Sequence, residues 1–97
     1  MTNVSFIVVG REVTGEFSNL SVRMISGNLK SGDLVGFSIL GSPPFEVESI
    51  SIHRRFVGNI SGGLIGIISI PYWAESYIMG PIVRLTRIKS KEGDFYE

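Results

Sequence analysis

Gly27-Asn28-Leu29-Lys30-Ser31-Gly32-Asp33-Leu34-Val35 is the stretch from which the fold of this chain can be read. Glycine reaches positive φ without steric cost, so Gly27 and Gly32 are natural reversal points. Lys30-Ser31-Gly32-Asp33 predicts a four-residue turn with glycine at its third position, which suits type II. Leu29, the one apolar residue between the two glycines, is placed to tuck under that turn as a plug. Beyond it Val35, Phe37 and Ile39 alternate with Gly36 and Ser38, the period-two signature of a half-buried strand running from Leu34 to Leu40.

Working outward, the chain reads as short strands separated by glycine and proline. Phe6 to Val9 is β-rich, is interrupted at Gly10-Arg11-Glu12, and can resume at Val13-Thr14-Gly15; the contiguous apolar residues leave the course of the chain before residue 20 open. Ser18-Asn19 is a turn signal. Leu20, Val22 and Met24 then alternate as a strand ending at Ser26-Gly27. Gly41-Ser42-Pro43-Pro44 predicts a loop. Phe45 and Val47 are followed by Ile50 and Ile52, with the apolar phase slipping by one residue at Glu48-Ser49; either a β-bulge or two abutting short strands produces such a slip. His53-Arg54-Arg55 closes that strand, and Val57 to Gly63 predicts a flexible connection. Leu64 to Ile70 is the most apolar run and suits a central strand covered on both faces. Gly66 inside it implies a close backbone approach or a kink. Pro71 stops the run, Tyr72 to Gly80 is an aromatic-rich loop with room for one helical turn near Ala74–Tyr77, and Pro81 starts a last strand with Val83 and Leu85 facing one way and Arg84 and Thr86 the other.

No helical periodicity is sustained anywhere. Strands at roughly ten-residue spacing with Gly/Pro turns predict an all-β barrel or sandwich, and closure would remove exposed sheet edges. The 97 residues predict one domain, with its core from about 4 to 88 and a frayed, charged tail over 89–97. Nine basic and nine acidic residues cancel, which argues against binding nucleic acid by bulk charge alone but leaves local patches open. With no cysteine and one histidine, His53, the chain predicts neither a disulfide framework nor a metal site. No cofactor is implied. There is no basic leader and no long apolar run, so a soluble cytoplasmic protein away from membranes is the expectation.

Three pieces, in order, resemble the second domain of translational GTPases, the β-barrel of elongation factor Tu, elongation factor 1-alpha and their relatives. Arg23 to Val35 is similar to V-x-x-G-x-[IL]-x-x-G-D-x-V. Val47-Glu48-Ser49-Ile50-Ser51-Ile52-His53 is similar to V-x-S-[IV]-x-M-H of the elongation factor 1-alpha branch. Ser61-Gly62-Gly63-Leu64-Ile65-Gly66-Ile67, followed by Tyr77-Ile78-Met79-Gly80-Pro81-Ile82-Val83, is similar to A-G-[DE]-x-[VI]-G-[VF] and [IV]-x-x-G-x-[VIL]-[VL]. The resemblance covers roughly Arg23 to Leu85 and implies a small closed antiparallel β-barrel of six or seven strands, here standing without its GTPase partner. Phe6 to Phe17 fits less well and is longer than usual. No G-x-x-x-x-G-K-[ST] is present, so no nucleotide is expected. In relatives that carry aminoacyl-tRNA, an asparagine often precedes [VI]-G; Leu64 stands there and offers no hydrogen bond.

The candidate binding residues are His53, Arg54 and Arg55, joined by Arg84 on the outer face of the last strand and by Tyr72 and Trp73 of the aromatic loop. Arginine presents a planar fork of donors to phosphate, and aromatic rings stack on bases or anchor protein partners. Arg87, Lys89 and Lys91 can extend the basic cluster with Arg84. The alternatives are a solvated strand end for His53-Arg54-Arg55, a solvated face for Arg84, Arg87, Lys89 and Lys91, and a cap on the barrel end for Trp73. Gly27, Gly32, Asp33, Gly66 and Gly80 are the structural turn positions. Glu46 and Glu48 would share a strand face without a cleft, and His53 has no nucleophile at a recognisable elbow, so no enzyme is expected. The chain is thus expected to be a binding module for RNA or a ribosome-associated partner. The alternative is a protein-interaction or self-associating module, a homo-oligomer included, without a nucleic-acid role.

Overall fold

The structure, a computed structural model, describes residues 2–38 and 41–89. It is all-β and antiparallel apart from one helical turn. The strands are β1 (Thr2–Thr14), β2 (Phe17–Ser26), β3 (Asn28–Lys30), β4 (Leu34–Phe37), β5 (Phe45–Glu46), β6 (Ser49–Ile52), β7 (Arg55–Val57), β8 (Asn59–Ser61), β9 (Ile65–Pro71) and β10 (Ile82–Lys89), with α1 (Tyr72–Glu75) after β9. Eight of them form one sheet in the order β5-β4-β10-β1-β2-β9-β6-β7, and β3 pairs with β8 in a separate ribbon.

The expected closed barrel of six or seven strands is corrected here: neither sheet closes. The two margins of the large sheet are instead bridged along the chain. The run from Phe45 to Ile52 begins as β5 on β4 and ends as β6 on β9, breaking at Val47-Glu48. There Val47 exchanges hydrogen bonds with the turn at Gly32 and Asp33 (2.8 and 2.9 Å), while the Glu48 N–H donates to the Ser69 carbonyl (2.9 Å). One segment that supplies the edge strand β5 at one end of the sheet order and the next-to-last strand β6 at the other encloses a core without a continuous ladder. Val4, Leu20, Leu29, Val35, Ile50, Ile60 and Ile68, drawn from seven strands, are fully or almost fully buried in one cluster. Each such side chain contributes about 1.5–3 kcal/mol of transfer free energy.

The glycine-rich stretch folds as its residues dictate. Gly32 takes φ +89°, and the Asp33 N–H donates to the Lys30 carbonyl (3.1 Å). Leu29 is completely buried beneath it. Gly27, at φ +83°, lies so close to β1 that a Cβ would sit 2.5 Å from the Asn3 carbonyl oxygen. The strand after the turn is shorter than expected, ending at Phe37; Ile39 and Leu40 lie outside the described residues.

Elsewhere pairing overrode local signals. Gly10-Arg11-Glu12 does not interrupt β1. The strand runs through as 13 residues, absorbing irregularities between Ser5 and Phe6 and between Val8 and Gly10 as register shifts against β2. Ser18-Asn19 lies inside β2, and the reversal falls at Gly15-Glu16. Val57 to Gly63 is largely β7 and β8, because its backbone groups find partners in β6 and β3. The helical turn occupies Tyr72–Glu75, slightly before its expected place. Lys89 belongs to β10; the rest of the expected tail lies outside the described residues. No helix among the described residues is long and apolar enough to cross a membrane.

Candidate functional site

β6 and β7 form a hairpin with Ile52 opposite Arg55, so His53 and Arg54 are its two loop residues. Their φ values are +52° and +65°, the double positive φ that a type I′ turn requires and that Asn-Gly ordinarily supplies. Non-glycine residues hold this conformation at a cost of order 1–2 kcal/mol each. The trio is therefore a strained turn that aims both loop side chains into solvent, not a plain strand end. All three are exposed, and neither Arg54 nor Arg55 has an ion-pair partner among the described residues.

Beside this turn lies a shallow groove of about 510 Å³, with His53, Arg54 and Ser51 on one wall and Leu64, Ile65 and Ile67 of β9 and its approach on the other. The Leu64–Ile70 run, expected to be covered on both faces, is so covered over Ile68-Ser69-Ile70, which are all buried, but on one face only over its first half. Ile68 and Ile70 are buried, while Leu64 (44 %), Ile65 (63 %) and Ile67 (42 %) stay exposed, as does Phe56 (83 %) on β7. Every residue but Gly66 and Ser69 from Leu64 to Ile70 is apolar, so the alternation that marks an open face is hidden in the sequence. Gly66 faces inward: a Cβ there would lie 2.8 Å from both the Ser51 carbonyl oxygen and Ile60 Cδ1. Its missing side chain lets β9 and β6 approach, which shapes the groove floor.

Tyr72 and Trp73 stand elsewhere. They lie on α1, beyond the C-terminal end of β9, whereas His53 and Arg54 adjoin its N-terminal end. The seven residues of β9 at roughly 3.3 Å each put about 20 Å between them. The aromatic loop and the arginine pair, expected to act as one surface, are two. α1 is held by the β1–β2 hairpin: the Tyr72 N–H donates to the Glu16 carbonyl (2.8 Å), and the buried Ser18 hydroxyl donates to Glu75 Oε1. Trp73 joins a closed ring of four aromatics. Phe37–Phe45, Phe45–Trp73, Trp73–Tyr77 and Tyr77–Phe37 have centroids 5.2, 6.2, 6.3 and 5.9 Å apart. Trp73 and Tyr72 nevertheless remain about half exposed.

Arg84, opposite Ser5 on β1, shares a cleft with Tyr77 and not with the hairpin. Arg87, read as part of a solvated basic face, points the other way and ion-pairs with the buried Asp33 (3.3 Å). Asp33 Oδ2 also accepts the Lys30 N–H (2.8 Å). Gly80 has neither positive φ nor a close neighbour at its Cβ position, so nothing in its geometry requires glycine.

No protein-family profile matches this sequence. Nor does any curated protein sequence. Among solved structures the chain is similar to translation elongation factor SelB from Methanococcus maripaludis in its apo form, with a TM-score of 0.68 and 16 % sequence identity. The match covers 93 % of this chain and 20 % of that one, so this chain spans about a fifth of the length of that factor. At this identity the likeness is one of fold, and the chain has the fold of a stretch of a translation elongation factor.

Proposed function

We propose that this chain is a non-catalytic module of the second-domain type found in translational GTPases, and that it binds a single-stranded RNA segment or an RNA-bearing partner. The supporting observation is the groove beside the β6–β7 turn. Arg54, with no ion-pair partner among the described residues, lines the groove beside His53 and faces an apolar wall, and the equally unpaired Arg55 follows it in the chain. A phosphate donor beside a base-contacting surface is the pairing that single-strand binding uses. The aromatic residues of α1 play no part in this surface. The protein acts by holding its ligand and makes no bonds, in the cytoplasm and without a nucleotide of its own.

Fluorescence anisotropy with a short labelled single-stranded RNA tests the reading. Affinity should fall with added salt at a log–log slope of about −0.7 per phosphate contacted. The Arg54→Ala/Arg55→Ala variant should bind about tenfold more weakly and with a shallower slope. A salt response identical in wild type and variant would sink the proposal.

A second reading is favoured by the exposure of Phe56, Leu64, Ile65 and Ile67 on neighbouring strands: the same face as a self-association surface. Light scattering over a wide concentration range separates the two, because a strict monomer excludes the second.

A further inference from the structure

A second hollow among the described residues lies away from the groove. A cleft of about 240 Å³ opens where the loop after α1 descends into β10, walled by Phe37, Tyr77, Met79, Ile82 and Val83 and edged by Arg84. On the other side of Arg84 is a hollow of about 220 Å³, lined by Asn3, Val4, Ser5, Ser26 and Ser38, where the Ser5 and Ser26 hydroxyls bond each other (2.7 Å) and the Ser38 hydroxyl donates to the Arg84 carbonyl (3.4 Å). Arg84 therefore stands on the ridge between an apolar and a hydroxyl-rich recess. It is exposed and has no ion-pair partner among the described residues. Neither recess is lined by a carboxylate.

These features restrict the ligand chemically. One guanidinium with no opposing acid suits a monoanion that carries no cation of its own, and the site offers no carboxylate to pair with the ammonium of a free zwitterionic amino acid. The apolar cleft falls below the roughly 300–1,000 Å³ of ordinary small-molecule sites, so it takes a group about the size of one side chain. Phe37 and Tyr77 each already pack against two other rings of the quartet, which disfavours base stacking and favours an aliphatic or edge-on aromatic group. We propose that this site binds a carboxylate borne on a compact apolar body: the group sits in the Tyr77–Ile82 cleft, the carboxylate is forked by Arg84, and the serine-rich recess receives a neighbouring amide. An acylated apolar amino acid and the C-terminal residue of a peptide share this chemistry.

The test is an NMR titration of the full chain with N-acetyl-phenylalanine and with a hexapeptide ending in phenylalanine, each against its C-terminal amide. Both acids should shift resonances of residues 37–38 and 77–84, with the amides about tenfold weaker. Arg84→Gln should cost about tenfold and Arg84→Lys less, since lysine keeps the charge and loses the fork. Arg84 contributes only its backbone carbonyl to the described hydrogen bonds, so Arg84→Gln should keep its fold; Met79→Ala, at a residue 84 % exposed, tests the apolar wall separately. A peptide acid that binds much more tightly than N-acetyl-phenylalanine identifies a chain end as the source, and equal binding identifies a free acid. Amides that bind as well as acids, an Arg84→Gln variant indistinguishable from wild type, or no saturable shift at about 10 mM acid overturns the site. Arg54→Ala/Arg55→Ala leaves this titration unchanged, so the RNA proposal and this one can fail independently.

Discussion

Two tight turns of this protein make opposite use of the same backbone conformation. In the Lys30–Asp33 turn, positive φ falls on Gly32, where it costs nothing, and the Asp33 carboxylate is tied inward through Oδ2, its Oδ1 staying buried without a partner. Asp33 accepts from Lys30 and pairs with Arg87, and the backbone locks onto Val47. In the Ile52–Arg55 turn, positive φ falls on His53 and Arg54, which are strained and exposed, with no ion pair among the described residues. The first turn is built for stability. The second holds two long polar side chains out at the rim of a groove at the expense of stability, the arrangement found where strain serves a binding surface.

The sharpest way to break this comparison is to remove the buried acid. Asp33→Ala leaves the Lys30 N–H without its acceptor and Arg87, which is partly exposed, with only the Asn28 carbonyl (3.2 Å), and should lower stability by about 3 kcal/mol in chemical denaturation. A loss below about 1 kcal/mol would show that the turn's inward wiring is incidental. Next in size is Gly27→Ala, which combines a left-handed φ with a backbone clash at Asn3; about 2–4 kcal/mol is expected, read as a fall in melting temperature. The opposite sign is expected at the other turn. Arg54→Gly relieves a strained residue and should raise stability by about 1 kcal/mol while weakening the proposed RNA binding. If it destabilises, the turn is not under strain and the contrast fails. The smallest effect sharpens the placement of α1. Ser18→Ala removes the buried hydroxyl bonded to Glu75 and should cost about 1 kcal/mol, with a change in Trp73 fluorescence and none in RNA affinity.

Much of the candidate surface was hidden for a reason visible in the residues themselves. His53-Arg54 gives only a weak turn signal: histidine is among the side chains enriched at positive φ but arginine is not, and the pairing of Ile52 with Arg55 forces both into it. The exposure of Ile65 and Ile67 was masked because their neighbours Leu64, Ile68 and Ile70 are apolar too. The distance between Trp73 and Arg54 depends on the direction of β9, which composition does not carry.

What the sequence alone determined is local. Gly27 and Gly32 set the reversals, Asp33 capped its turn, and the alternation of Leu20, Val22 and Met24 chose the buried face of β2, because φ preference and side-chain period act over a few residues. Tertiary structure decided what depends on partners far along the chain. It left the large sheet unclosed, let Phe45–Ile52 supply strands near both ends of its order, drew Arg87 inward to Asp33, and set the arginine turn and the aromatic helix at opposite ends of β9. Those outcomes follow from which backbone donors and buried charges find each other in space, and spacing along the chain does not encode that.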